Sequence, residues 1–229
     1  MNILGIETST RAAGVAVVSD GKILAEVIQE SKSPHSETLH VQMEEVLKNS
    51  GVAEKIDAVA VSIGPGSFTG LRIGLAAAKV LAYAWQIKII GVPTLQAMAF
   101  NFPTDFVTVL PLIDAQKNRA YVQQFRNFLP QTEIEVLPID EVVTSAGKID
   151  GEVFLCGDVL HKIKAELPAN VKIAPANLKM PRAANVALCG KFLLDAGQVD
   201  NLMNLEPLYV RRSEAEVLWE KRQQLLSEK

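Results

Sequence analysis

At 229 residues, 48% of them apolar, the chain is long enough to bury one large core or two smaller ones. A net charge of −3 and an aromatic content of 6% argue against a stand-alone nucleic-acid binder, which needs a basic patch or stacking rings. Cys156 and Cys189 form no CxxC or Cys/His cluster and suit a reducing cytoplasm as small buried hydrophobes.

The opening MNILGIETST has no basic stretch followed by an apolar signal, so no export is expected. Instead residues 2–8 read as a buried strand. Residues 13–19 and 23–30 alternate well around Asp20-Gly21, a strong hairpin signal. A helix follows, with Ser33 as N-cap, Pro34 at its first position and Gly51 just past its end. Leu39, Met43, Val46 and Leu47 form its apolar face. Residues 58–63 then alternate as a buried strand leading into GPGSFTGLRIG at 64–74.

This motif is a strand, a Gly-Pro-Gly turn and a helix start. Gly64 and Gly66 permit positive φ, Pro65 fixes the turn, and Ser67 or Thr69 can cap the helix. The free N–H groups there suit an anion, while on local grounds a tight structural turn is the favoured reading. No Gly-Lys-Ser/Thr follows, so it is not a Walker A loop. Between Phe68 and Trp85 only Arg72 and Lys79 are charged. A helix on the outside of a sheet should carry a polar outer face, so a partner is expected to cover this one. Gly70, Gly74, Ala77 and Ala78 would allow close approach, and Leu71, Leu75 and Leu81 would supply burial. Residues 88–92 form a short strand and residues 94–101 a helix.

The second half begins again with a strand at 107–113 ending in Asp114, then strands at 119–125 and 133–137 and a short helix at 140–146. A strand at 152–156, a helix at 159–167, a short strand at 171–174 and a helix at 183–196 closed by Gly197 follow. IETSTRAAGVAVV and IDAQKNRAYVQQF share one pattern: buried strand, acidic residue, polar turn, alternating strand. That is an internal duplication of a β-β-β-α-β-α unit. Two facing lobes of this kind give an α/β, actin-like (ASKHA, ribonuclease H-like) architecture, each lobe a mixed sheet flanked by helices. The lobes are expected at 1–102 and 103–205, with 206–229 an extension whose helix at 215–226, carrying Trp219, packs back on the body.

His35 and His40 are five residues apart, about 140° around a helix, and His161 is distant, so no metal site is expected. There is no GxSxG elbow. Glu7, Thr8, Ser9 and Thr10 form a hydroxyl-rich turn that in an ATPase of this architecture meets phosphate and Mg²⁺. Hydroxyls satisfying local backbone explain it equally. Asp114 is its counterpart, followed by Gln116, Lys117 and Asn118 rather than a glycine-rich loop.

Six motifs occur in order: ILGIETST at 3–10, HSETL at 35–39, GPGSFTGLRIG at 64–74, IGVPTL at 90–95, LIDAQKNRAY at 112–121 and PLYVR at 207–211. Together they resemble the TsaB (formerly YeaZ) family of bacterial tRNA threonylcarbamoyladenosine biosynthesis proteins over nearly the whole chain. Gln116 departs from that pattern, which commonly has Arg there. The resemblance implies a non-catalytic structural and activating subunit related to TsaD, the catalytic subunit that acts on the adenosine beside the anticodon. TsaD-like proteins carry a metal-binding His pair at i,i+4, which is lacking here. The resemblance further implies pairing with TsaD through the helices at 33–50 and 69–85, a homodimer through the same surface when alone, and a TsaE-like ATPase as a further partner. The interface would then hold Leu39, Met43, Val46, Gly70, Leu71, Gly74, Leu75, Ala77, Ala78 and Leu81. Contact with tRNA would come only through the complex, in the cytoplasm and away from membranes. No cofactor is required, although ATP or ADP with Mg²⁺ at a degenerate or shared site would meet Glu7, Thr8, Ser9, Thr10 and Asp114. The alternative is an enzyme in its own right, a small-molecule kinase or a glycoprotease-like peptidase. The missing second phosphate loop weighs against the first, the missing metal pair and triad against the second.

Overall fold

The computed structural model describes residues 1–30, 35–102 and 106–210. Ser33, Pro34 and the expected terminal helix at 215–226 lie outside these residues.

The first lobe opens with a meander of β1 (Asn2–Glu7), β2 (Ala12–Ser19) and β3 (Lys22–Glu30). Its β2–β3 turn has φ 47° at Asp20 and φ 84° at Gly21, the two positive values that match the twist of a tight hairpin. Helix α1 (His35–Ser50) stops at Gly51, φ 68°. Strand β4 (Ala58–Gly64), helix α2 (Phe68–Trp85), strand β5 (Lys88–Pro93) and the short helix α3 (Thr94–Ala99) follow. The sheet order is β3-β2-β1-β4-β5, with β1 and β2 antiparallel and β4 and β5 running parallel to β1.

The second lobe repeats this plan. Its elements are β6 (Val107–Asp114), β7 (Arg119–Val122), a two-strand ribbon β8 (Phe125–Arg126) and β9 (Leu129–Pro130), then β10 (Glu135–Pro138), α4 (Ile139–Ala146), β11 (Glu152–Gly157), β12 (Val171–Ile173) and α5 (Ala183–Asp195). The order β10-β7-β6-β11-β12 matches the first sheet strand for strand, again with an antiparallel meander and two parallel strands. Chain positions Glu7 and Asp114 are therefore equivalent, each the last residue of its lobe's central strand.

Two sequence expectations are corrected. The strand expected at 119–125 breaks after Val122, and Phe125 returns to pair with Val109 of β6. The helix expected at 159–167 is only a 3-10 turn, Leu160–Lys162. Beyond it Ile163, Ala165 and Leu167 pack on the second core while the residues between them are exposed. That period of two belongs to extended chain, and Pro168 cannot continue a helix.

Between the first sheet and helices α1 and α2 lies a core of Leu4, Ile6, Val15, Val17, Val59 and Val61 against Leu39, Val46, Leu75 and Ala78. The opposite face, Ile3, Ala58, Ala60, Ile90 and Val92, is covered by Val186, Ala187, Cys189 and Leu193 of α5. A helix late in the sequence thus closes the sheet formed first. Gly5 makes this approach feasible: a Cβ there would lie 2.3 Å from the Ala183 carbonyl oxygen. Helix α3 supplies Leu95, Met98 and Ala99 to a cluster with Val109, Ile113, Phe125 and Cys156 of the second sheet, joining the lobes. After α5 a strap returns to the first lobe, with Leu205 buried in its core and the Leu208 N–H donating to the Ile63 carbonyl at 2.7 Å. Among the described residues no helix is long and apolar enough to cross a membrane.

Candidate functional site

The glycine-rich motif is folded around the chain's own acidic turn. Ser67 caps α2, its Oγ accepting from the Gly70 N–H at 3.2 Å, and its N–H donates to the Ser9 carbonyl at 2.7 Å. A Cβ on Gly66 would lie 2.4 Å from the Ser9 carbonyl oxygen, one on Gly70 2.1 Å from that of Thr8, and one on Gly74 2.2 Å from Thr8 Oγ1. Gly64 adds φ 116° at the end of β4, where the chain must reverse into the turn. The spacing 66, 70, 74 therefore presses one edge of α2 onto residues 8–9.

Beneath this lid Glu7, Thr8, Ser9 and Thr10 are all nearly fully buried, at 1%, 0%, 1% and 4% exposure. Glu7 Oε1 accepts from the Ser9 N–H at 2.5 Å, and the Thr8 N–H donates to Ser62 Oγ at 3.3 Å. Among the described residues, Glu7 Oε2, Thr8 Oγ1 and Ser9 Oγ have no hydrogen-bond partner. Burial raises the Glu7 carboxyl to about 7, and hydrogen bonds from Ser9 and Ser62 only partly offset it. The turn presents a near-neutral acid and buried hydroxyls.

The second lobe's turn is also engaged. Asp114 Oδ2 pairs with Lys162 Nζ at 2.6 Å, Oδ1 accepts from the Gln116 N–H at 2.9 Å, and the Asp114 N–H donates to Asp158 Oδ1 at 3.0 Å. Gln116, Lys117 and Asn118 take φ of 62°, 51° and 58° in succession, a left-handed turn built without glycine. Burial, followed by the neighbouring Asp114 charge, pushes the Asp158 carboxyl up. These residues fit a Mg²⁺–nucleotide poorly. One acidic group is sealed under α2 with its charge suppressed, and the other is already matched by an ammonium. Among the described residues no cluster of three or more His, Cys, Asp or Glu could hold a metal ion.

The expected interface residues turn inward. Leu39, Val46, Gly70, Leu71, Gly74, Leu75 and Ala78 are buried within the chain, while Met43, Ala77 and Leu81 are half-buried against the same core. The small residues do set a close approach, but toward residues 8–9. The face of α2 that remains outside carries Ala76, Val80 and Tyr83, the last two 66% and 67% exposed. They recur at i, i+4 and i+7, one stripe of a helix. Val41 of α1 is exposed as well.

A cluster not singled out from sequence joins this face. Arg72 of α2 lies over the Phe68 ring, 3.8 Å from its centroid, and its Nε donates to the Tyr209 hydroxyl at 2.9 Å. The Phe68 and Tyr209 rings stand 5.2 Å apart. The signal was the PLYVR motif, whose tyrosine reaches back across the chain to the lone arginine of α2.

Comparison with known proteins bears on the fold and the family. The family model described as TsaD, tRNA N6-adenosine threonylcarbamoyltransferase, matches residues 22–219. The chain is 30% identical over 228 residues, 96% of its own length and 98% of the relative's, to the tRNA threonylcarbamoyladenosine biosynthesis protein TsaB of Bacillus subtilis. In fold it is similar to YeaZ from Pseudomonas aeruginosa, with a TM-score of 0.75 at 23% identity over 91% of this chain and 99% of that one. It is also similar to a ROK hexokinase from Thermus thermophilus, with a TM-score of 0.52 at 12% identity over 86% and 100%. The two-lobed actin-like architecture expected from the duplication is thereby shown, and the chain belongs to the TsaB family of tRNA threonylcarbamoyladenosine biosynthesis proteins.

Proposed function

We propose that this protein is a non-catalytic, activating subunit in the formation of threonylcarbamoyladenosine on tRNA, and that the outer face of α1 and α2 docks a TsaD-like transferase. The single observation behind this is the exposed stripe of Ala76, Val80 and Tyr83 on a helix with almost no charge. Such a face loses little by leaving water and gains by burial. The sealing of Glu7 under α2 and the pairing of Asp114 with Lys162 support the non-catalytic part, since a substrate would first have to displace α2 or the ammonium. No step is assigned to a nucleotide at these turns. A TsaE-like ATPase completes the assembly, and tRNA is held by the complex in the cytoplasm, because a net charge of −3 gives this chain little drive from counterion release.

The test is reconstitution of adenosine modification with the transferase and the ATPase of the same genome and the synthase that supplies the threonylcarbamoyl group. Modification is expected to need this chain and to fall at least tenfold with Val80→Glu and Tyr83→Glu combined, since an uncompensated buried charge costs well over ~1.4 kcal/mol. The circular dichroism melt should stay that of the parent. Full activity of the double variant, or modification without this chain, overturns the proposal.

A further inference from the structure

Arg72 belongs to the exposed stripe of α2. It stands four residues before Ala76, so the stripe runs Arg72, Ala76, Val80, Tyr83, all exposed and within about 80° of the helix surface at about 100° per residue. Its side chain is fixed in place. The guanidinium carbon sits 3.8 Å from the Phe68 ring centroid and 5.8 Å from that of Tyr209, and Nε donates to the Tyr209 hydroxyl at 2.9 Å. Tyr209 is anchored in turn through its neighbour, since the Leu208 N–H donates to the Ile63 carbonyl at 2.7 Å. The far end of the guanidinium is left over. Among the described residues no carboxylate pairs with Arg72, and its two terminal nitrogens have no hydrogen-bond partner. Lys79, the other cation of α2, differs: its Nζ donates to the Met203 carbonyl at 3.2 Å. Helix α2 itself contains no Asp or Glu to serve Arg72.

This arrangement decides what can cover the stripe. A wholly apolar surface laid over Val80 and Tyr83 would take water from Arg72 as well, and a charge buried without a partner offsets what apolar burial gains. The side chain cannot swing clear without losing the Phe68 face and the Tyr209 hydroxyl. The free end of a guanidinium is a fork that matches the two oxygens of a carboxylate. Holding that fork in advance removes part of the ordering cost of binding.

We infer that Arg72, held by Phe68 and Tyr209, is a carboxylate receptor: the partner that docks on α2 brings an Asp or Glu side chain onto its terminal nitrogens, beside an apolar surface that covers Ala76, Val80 and Tyr83. The inference rests on the docking role proposed above for this face and adds to it the chemistry of the partner's contact.

The test is calorimetric titration of the TsaD-like subunit into the full-length parent and into Arg72→Gln and Tyr209→Phe chains, at low and high salt. Arg72→Gln is expected to weaken binding at least roughly tenfold and to flatten its salt dependence. Tyr209→Phe keeps the ring and frees the guanidinium, and is expected to weaken binding less. Acidic side chains on the partner's docking face are then changed one at a time to their amides. One of them should weaken binding of the parent and have little further effect on Arg72→Gln, the non-additivity of a direct pair. A merely structural role for Arg72 would not produce that coupling. Parent-like binding by Arg72→Gln, or losses that add for every partner acid, overturns the inference while leaving the face in place. Retention of tRNA by the parent alone, lost in Arg72→Gln, overturns it in favour of phosphate. No binding by the parent, or parent-like binding by the Val80→Glu, Tyr83→Glu chain, removes the docking face and the receptor with it.

Discussion

Glu7 carries the largest electrostatic anomaly in the described residues that bears on function. It occupies the position where an actin-like fold places an acidic group, yet burial lifts its carboxyl from 4.5 to about 7. Folded chain therefore holds a proton that unfolded chain releases near 4.5. Stability from this group is fully present below that value and is lost as pH rises through the folded value near 7, by up to about 3 kcal/mol at about 1.4 kcal/mol per pH unit. Glu7→Gln removes the titration. Urea denaturation at pH 5 and pH 8 should show the parent losing stability across that interval, with the variant losing distinctly less. Identical pH profiles for the two would mean that Glu7 is not held neutral. The residue and its hydroxyl neighbours were legible in the sequence as a turn after a strand. Their sealing was not, because it depends on contacts across more than fifty residues that no local pattern records.

At the scale of the element, the sequence of α2 reads as too apolar for one buried face, and within the chain its glycine edge packs on residues 8–9. Periodicity locates a stripe of glycine and alanine but does not say what approaches it. The turn at residues 8–9 takes Gly70 and Gly74, which leaves the bulkier Val80 and Tyr83 outside. Gly74→Ala tests this arrangement. Its methyl would lie 2.2 Å from Thr8 Oγ1, a side chain at 0% exposure, and overpacking of this kind costs typically about 1–3 kcal/mol. The midpoint of urea unfolding should fall accordingly, and Thr8→Ser should recover little because the hydroxyl remains. An unchanged midpoint would show that α2 can shift away from the turn. The helix expected after β11 failed for a related reason: leucine and isoleucine spaced over residues 159–167 satisfy a helical pattern, while the second core takes them two residues apart in extended chain.

For the molecule as a whole, the duplication was legible because both central strands end in an acidic residue before a polar turn, and the two sheets share one strand order. The way the halves are joined was not, since α5 and the strap belong by sequence to the second half and by packing to the first sheet. That return path bears on synthesis. While the ribosome extends the chain, the strands β1, β4 and β5 emerge early, but Ile3, Ala60, Ile90 and Val92 have only Ala97 of the following helix and Phe100 at its end to cover them until residues 183–193 appear. Long-range closure of this kind is slow and leaves apolar sheet surface open to wrong contacts in the interval. Nascent chains stalled with residue 180 at the tunnel exit should be cut readily by protease within the first hundred residues, and chains stalled with residue 210 clear of the tunnel should resist. Equal resistance at both lengths would mean that the first lobe folds without its last helix. A late nonsense mutation in this gene would then remove far more than a tail: it would leave the first-made half of the protein with one side largely bare, a substrate for chaperones and proteases.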